Sequence, residues 1–263
     1  MTFLHAIILG IIEGITEFLP ISSTGHMVLA SDLLKIAQTD FVKSFEIIIQ
    51  LGAILAVVVL YTKKLLIEKK AISKIISAFI PTAIVGYVLY KFIKQYLIGN
   101  DVVVLWSLLI GGIVIILFEL FYDKPEREKQ STKSMSDISY SQAIAVGLAQ
   151  SVAVIPGVSR SAATIIGGQL AGISKKTIVE FSFILAVPTM VAATALDIFK
   201  NPISIGSGEM VPLMLGFVSA FIVALVSIKW LISFVQKHSL VWFGVYRVVV
   251  SLAFFAYFFW ILK

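Results

Sequence analysis

Two polar runs, each set in apolar sequence, carry the side chains of this chain that could do chemistry. One is Glu13-Gly-Ile-Thr-Glu17-Phe-Leu-Pro20-Ile-Ser22-Ser23-Thr24-Gly-His26, the other Pro156-Gly-Val-Ser159-Arg160-Ser161-Ala-Ala-Thr164. Glu13 and Glu17 are four apart and stack on one helix face. Two ionised carboxylates so placed repel, and burial raises the cost, so a bound divalent cation, a shared proton or a nearby cation must compensate. Pro20 ends a first helical arm, and Ser22, Ser23 or Thr24 can N-cap the next. Free N–H groups and the positive dipole end of that helix seat phosphate oxygens. His26 falls in its first turn, and a serine beside an imidazole near carboxylates is the layout of an activated nucleophile. The second run repeats the device: Pro156-Gly157 breaks the chain, Ser159 can cap, and Arg160 opens the next helix. A planar guanidinium binds phosphate oxygens bidentately; its other reading is a buried partner to Glu13 or Glu17. Ser161 reads as a packing residue, and Thr164, one turn on, can face the same cavity. Two acids, a base, several hydroxyls and one guanidinium suit phosphate chemistry more than lipid packing.

The elements that must hold these groups lie in a bilayer. Of 263 residues, 59% are hydrophobic and only 14% charged, against roughly 25% charged in soluble domains; the mean hydropathy is +1.01. With no Cys, disulfides and thiolate metal sites are excluded. The first apolar stretch lacks a basic flank and a small-residue cleavage site, so no removable signal peptide is expected. The net charge of +6 does not point to nucleic acid, because the cations are mostly Lys between apolar segments, a pattern of headgroup contact and topology control.

Spans need roughly 20 apolar residues. Six full-length helices are predicted, over 41–62, 72–91, 101–121, 175–197, 210–235 and 240–262. The stretches 2–34 and 139–171 are interrupted at Leu19–Gly25 and at Ile155–Gly157, and read as two re-entrant hairpins. Non-helical backbone at that depth survives only when buried in protein or lining a cavity. The polar loop 123–138 divides the chain into repeats of about 1–122 and 139–263 within a single membrane domain, 1–263. At an offset of 137, Gly10 aligns with Gly147, Glu13 with Gln150 and Ser22 with Ser159; one residue earlier in register, Phe45 meets Phe181. Placing the 63–74 loop in the cytoplasm puts thirteen Lys and Arg inside and six outside, so both termini are predicted on the outer side. The hairpins then enter from opposite faces. The expected fold is an all-α integral membrane protein with an inverted-topology repeat, each half one re-entrant hairpin plus three transmembrane helices, about ten helices in all, its site near the midplane.

Other intramembrane polar residues carry weaker signals. Glu46 and Gln50 read as a second layer or cavity wall, Glu180 as a partner of Lys176, and Glu119 as a snorkelling helix-end acid. Arg247 is expected in a structural ion pair, and His5 and His238 near the interfaces.

Residues 13–26 and 156–164 resemble the signature motifs of the undecaprenyl-diphosphate phosphatase (bacitracin-resistance) family, and Phe-Glu-Ile-Ile-Ile-Gln-Leu-Gly at 45–52 and Phe-Ser-Phe at 181–183 extend the likeness over essentially the whole chain. The resemblance implies metal-dependent removal of the terminal phosphate of undecaprenyl diphosphate, a polyprenyl diphosphate lipid. That reaction recycles the carrier for cell-wall synthesis and gives bacitracin resistance, in the bacterial cytoplasmic (inner) membrane. It implies a divalent cation, Mg2+ or Ca2+, with Glu13 and Glu17 binding it or handling protons, and Arg160 holding the diphosphate. Ser23 is then the candidate nucleophile with His26 as base, His26 itself as nucleophile staying open. Substrate contacts fall to Ser22, Thr24, Ser159, Ser161 and Thr164, in a site open to the periplasmic side. A homodimer is left open. Phosphatidic-acid-type phosphatases need a His six residues after the Arg and an Asp four later; Ile166 and Leu170 stand there. The rival class is a polyprenyl-phosphate transporter, which needs Arg160 and the helix starts but no hydroxyl beside a histidine and paired acids.

Overall fold

Pro20 and Pro156 fall where two short helical hairpins turn. The computed structural model describes residues 1–97, 99–122, 131–132, 134–200, 206 and 208–261. Lys124, Arg127, Lys129, Lys133 and Lys263, which entered the orientation count, lie outside them. Eleven α-helices occur among the described residues: α1 Phe3–Thr16, α2 Ser23–Leu33, α3 Asp40–Ile67, α4 Lys69–Val88, the single turn α5 Tyr90–Phe92, α6 Asp101–Phe121, α7 Tyr140–Ser151, α8 Arg160–Leu170, α9 Lys175–Lys200, α10 Met210–Val235 and α11 Val241–Ile261. Six of them, α3, α4, α6, α9, α10 and α11, are long and apolar enough to cross a membrane, as the apolar runs predicted.

The hairpin arms are 14, 11, 12 and 11 residues long. At ~1.5 Å per residue none exceeds roughly 21 Å, short of the ~30 Å hydrocarbon core. Their starts are set by capping: Thr2 for α1, Ser22 for α2, a Ser139–Gln142 capping box for α7, and Ser159 for α8. Arms pack against spans through small residues that let backbones approach. A Cβ on Gly10 of α1 would overlap the Gly216 carbonyl of α10, and one on Gly147 of α7 would overlap the Ala78 carbonyl of α4.

The packing has an exchange pattern. Helix α1 lies on α10 as α7 lies on α4, while α3 packs on α9 and α6 on α11. Swapping each element with its counterpart in the other half leaves this pairing unchanged. The largest buried cluster includes Phe18, Phe181 and Phe183, with Phe18 edge-on to Phe183 at 5.3 Å.

Three expectations for charged residues are corrected. Glu180 bonds Lys64 of α3, not Lys176, because helix packing brings α3 alongside α9. Glu119 does not snorkel: it is 7% exposed, bound by Lys175 at 3.1 Å and Ser239 at 2.6 Å. Arg247 forms no ion pair among the described residues; it donates to five backbone carbonyls instead.

Candidate active site at the hairpin tips

Helix α1 stops at Thr16, and Glu17 follows as its C-cap, its N–H still bonded to the Glu13 carbonyl at 2.9 Å. The chain then turns through Pro20 to Ser22, whose left-handed φ of 72° reverses it into α2. The second hairpin does the same at Ser159, φ 77°. Each serine accepts from the N–H three residues on, Gly25 at 3.3 Å and Ala162 at 3.3 Å. The caps leave the N–H groups of Ser23 and Thr24, and of Arg160 and Ser161, without intrahelical acceptors. Two helix N-termini therefore border one polar cavity of about 80 Å3, lined by Glu17, Ser22, Ser23, Thr24, Ser159 and Arg160 together with Gln50 and Pro156.

Across the cavity wall Arg160 donates to Glu17 at 3.0 Å, both side chains almost wholly buried. The other carboxylate oxygen of Glu17 accepts the Ser23 hydroxyl at 2.6 Å and the Gln50 amide at 3.5 Å. Arg160 is steadied from below by the carbonyl and hydroxyl of Ser182, at 2.9 and 3.3 Å. Thr164 holds that hydroxyl at 2.6 Å, and the Phe18 ring lies 5.7 Å from the guanidinium carbon. Ser161 bonds the Leu19 carbonyl at 2.8 Å and so ties the two tips together. The Nε of Arg160 is buried and has no partner among the described residues.

The structure thus gathers Glu17, Ser22, Ser23, Thr24, Ser159 and Arg160 around the cavity, with Ser161 and Thr164 behind Arg160. Two residues stand apart. Glu13 lies one turn below Glu17, 3% exposed. His26 does not meet Ser23. Its Nδ1 is 2.8 Å from the Ser22 carbonyl, which can only accept, so Nδ1 carries the proton; Nε2 then accepts from the Tyr246 hydroxyl at 2.8 Å. The His26 ring is not among the groups that line the polar cavity; it lines an apolar groove with Leu19, Ile21 and Tyr246. Sequence reasoning missed Ser182 and Tyr246. For Ser182 a signal existed, since the Phe45–Phe181 register sets it opposite Glu46. Tyr246 gave none, being one aromatic among many in an apolar span.

Whether these residues suit a divalent cation turns on open oxygens. Both oxygens of Glu17 are engaged, whereas Oε1 of Glu13 is buried without a partner among the described residues. Among the described residues no group of three or more His, Cys, Asp or Glu could enclose an ion. Such a set fits a cation held by one or two carboxylates plus substrate phosphates, not a cage built by protein alone.

Residues 6–253 match the family described as Bacitracin resistance protein BacA. The chain belongs to this family. Among its relatives is an undecaprenyl-diphosphatase of Aquifex aeolicus (strain VF5), 50% identical over 98% of this chain and 99% of its own length. Others of the same name come from Sulfurihydrogenibium sp. (strain YO3AOP1), 48% identical over 98% of this chain and 100% of the relative, and Persephonella marina, 48% identical over 97% and 98%. Of the motif residues that led to the family, Glu17, Ser22, Ser23, Thr24, Ser159 and Arg160 line the cavity between the hairpins, while Glu13 and His26 do not.

Proposed function

We propose that this chain is an undecaprenyl-diphosphate phosphatase, releasing the terminal phosphate of a membrane polyprenyl diphosphate. One observation carries the reading: the Ser23 hydroxyl donates to Glu17, which Arg160 holds from the other hairpin, where two helix starts present free N–H groups. A hydroxyl bonded to a carboxylate beside donors for an oxyanion is a nucleophile with its base.

The terminal phosphate enters against the N–H groups of Ser23, Thr24, Arg160 and Ser161, with Arg160 turning donors toward its oxygens. Glu17 accepts the Ser23 proton as Oγ attacks phosphorus, the bond to the bridging oxygen breaks, and undecaprenyl phosphate leaves with that proton, returning Glu17 to its carboxylate. Water then attacks the phosphoserine, Glu17 relaying its proton to Ser23, and inorganic phosphate leaves. A divalent cation, Mg2+ or Ca2+, arriving with the diphosphate would neutralise phosphate charge, with Glu13 as the carboxylate whose open oxygen receives it. His26, engaged by Tyr246, orients the α2 start through the Ser22 carbonyl. Acting as base or nucleophile through Nε2 would require it to leave Tyr246.

The exchange pattern of helix pairing and the matched Ser22 and Ser159 caps support an inverted-topology repeat, 1–122 against 139–263; the Lys and Arg bias supports termini outside, and the family resemblance a cavity open to the periplasm, with six spans in a bacterial inner membrane. Only the first hairpin carries acids: Gln150 stands in Glu13's place in the second, bonded to Thr82 at 2.8 Å and Thr189 at 3.2 Å. A transporter with two equivalent half-sites would not need that asymmetry. The test is phosphate release from undecaprenyl diphosphate by purified protein in detergent with Mg2+ or Ca2+. Release is expected from the wild type and not from Ser23→Ala; a folded wild type that releases none would end the phosphatase reading in favour of transport.

A further inference from the structure

Arg247 is completely buried in α11, and its environment differs in kind from that of Arg160. Its Nε donates to the Leu108 carbonyl at 3.3 Å. One terminal nitrogen donates to Pro20 at 3.3 Å and Val158 at 3.0 Å, the other to Ser107 at 2.9 Å and Gly157 at 2.8 Å. A guanidinium has five N–H donors, so all are engaged and none remains for a ligand. Three acceptors lie in the hairpin breaks, Pro20 in the first and Gly157 and Val158 in the second; the other two are on α6. These breaks are where carbonyls lose helical partners, and buried orphans of that kind must be satisfied. Space for the group is reserved by Gly111, on which a Cβ would overlap the guanidinium. In a trans peptide N–H and C=O point oppositely. Drawing the Val158 carbonyl toward Arg247 therefore turns the Ser159 N–H away from it, beside Arg160.

We infer that Arg247 is a positioning residue that holds the two hairpin breaks in register, so that the Ser23–Glu17 pair of one faces Arg160 of the other. Its catalytic consequence rests on the phosphatase reading; its structural consequence does not. Lysine keeps the charge but has three donors, too few for the five carbonyls that Arg247 holds. In full-length Arg247→Lys, amide hydrogen exchange in segments 18–26 and 155–164 is expected to speed up by about tenfold or more while α3, α9 and α10 stay protected. Phosphate release from undecaprenyl diphosphate is expected to lose about 10²-fold in kcat, the effect of a misplacement near 1 Å. Because Arg247 acts by aligning Arg160, its substitution should slow Arg160→Ala by no more than about threefold, far less than the product of the single losses. Gly111→Ala, which displaces the guanidinium without removing it, should give the same local exchange signature. Unchanged exchange at both breaks, exchange rising alike in every helix, or losses that multiply in the double variant would each overturn the inference. If the wild type releases no phosphate, the phosphatase reading falls while the exchange measurement still decides the role of Arg247.

Discussion

Glu17→Gln is the substitution that bears hardest on the proposed chemistry. Glutamine has nearly the shape of glutamate but one carbonyl oxygen where Glu17 uses two. It can accept from Arg160 or from Ser23, not from both, and it cannot take a proton from Ser23. Loss of a positioned general base typically costs 10²–10⁴-fold, or about 2.7–5.4 kcal/mol at about 1.36 kcal/mol per decade. Stability should fall too. Removing one partner of a buried ion pair costs about 3–5 kcal/mol, and the lower end applies because Arg160 keeps the Ser182 carbonyl and hydroxyl. The expected variant folds with a lower thermal midpoint and has kcat for phosphate release down by about 10²–10⁴-fold. Both are measured on one detergent preparation, by phosphate release from undecaprenyl diphosphate under saturating substrate and by thermal unfolding. A folded Glu17→Gln whose kcat stays within about twofold of wild type, well outside that range, would refute the assignment of Glu17 as the base.

Four further outcomes follow from the geometry. Ser23→Ala should abolish turnover, whereas His26→Ala, whose ring touches Ser22 and Tyr246 and not Ser23, should lose no more than about tenfold, below the range for a general base; equal losses in steady-state assays would return His26 to the chemistry. Arg160→Lys keeps the charge without the fork that binds phosphate bidentately and should raise KM for the diphosphate, with a wild-type KM and kcat ending its role as ligand. Gly147→Leu drives a side chain into the Ala78 carbonyl, so thermal unfolding should show a loss of about 1–3 kcal/mol or more; an unchanged midpoint would contradict the close α7–α4 packing. Ser159→Gly gives up a cap worth only a few tenths of a kcal/mol relative to glycine and relieves a left-handed backbone, while Ser159→Val suffers both losses. A thermal midpoint of the valine variant at or above that of the glycine variant would show that the φ of 77° is not a constraint.

Much was legible along the chain because bilayer burial imposes strong local rules. Six spans follow from apolar runs long enough to cross, and the two breaks from Pro20 and Pro156-Gly157, since the missing proline N–H and the clash of its ring disrupt a helix in any tertiary setting. A cap at Ser22, Ser23 or Thr24 and one at Ser159 were readable for the same reason, since a capping bond reaches only a few residues along its own chain; the fold chose Ser22. Glu13, Glu17, Ser23 and Arg160 declared themselves as polar groups at membrane depth, where only a protein interior tolerates them.

Partnership was not local and could not be read. Arg160 meets Glu17 across 143 residues, and Arg247 reaches Pro20 across 227; spacing in sequence carries no information about such distances. For the same reason Glu180 paired with Lys64 instead of its own-helix neighbour Lys176. His26 is the sharpest case. Its place three residues after Ser23 pointed to a serine–imidazole pair, since residues so spaced are neighbours on a helix, but tertiary partners decided otherwise: Ser23 bonds Glu17 and the His26 ring bonds Tyr246. Residue types alone thus determined that this protein keeps acids, hydroxyls and guanidinium groups inside a membrane fold. Only the packing of two hairpins against α6, α9 and α11 decided that Ser23 answers to Glu17, that Arg160 faces the cavity, and that Arg247 faces the backbone, because each of those choices is made by groups far apart in the chain and close only once it is folded.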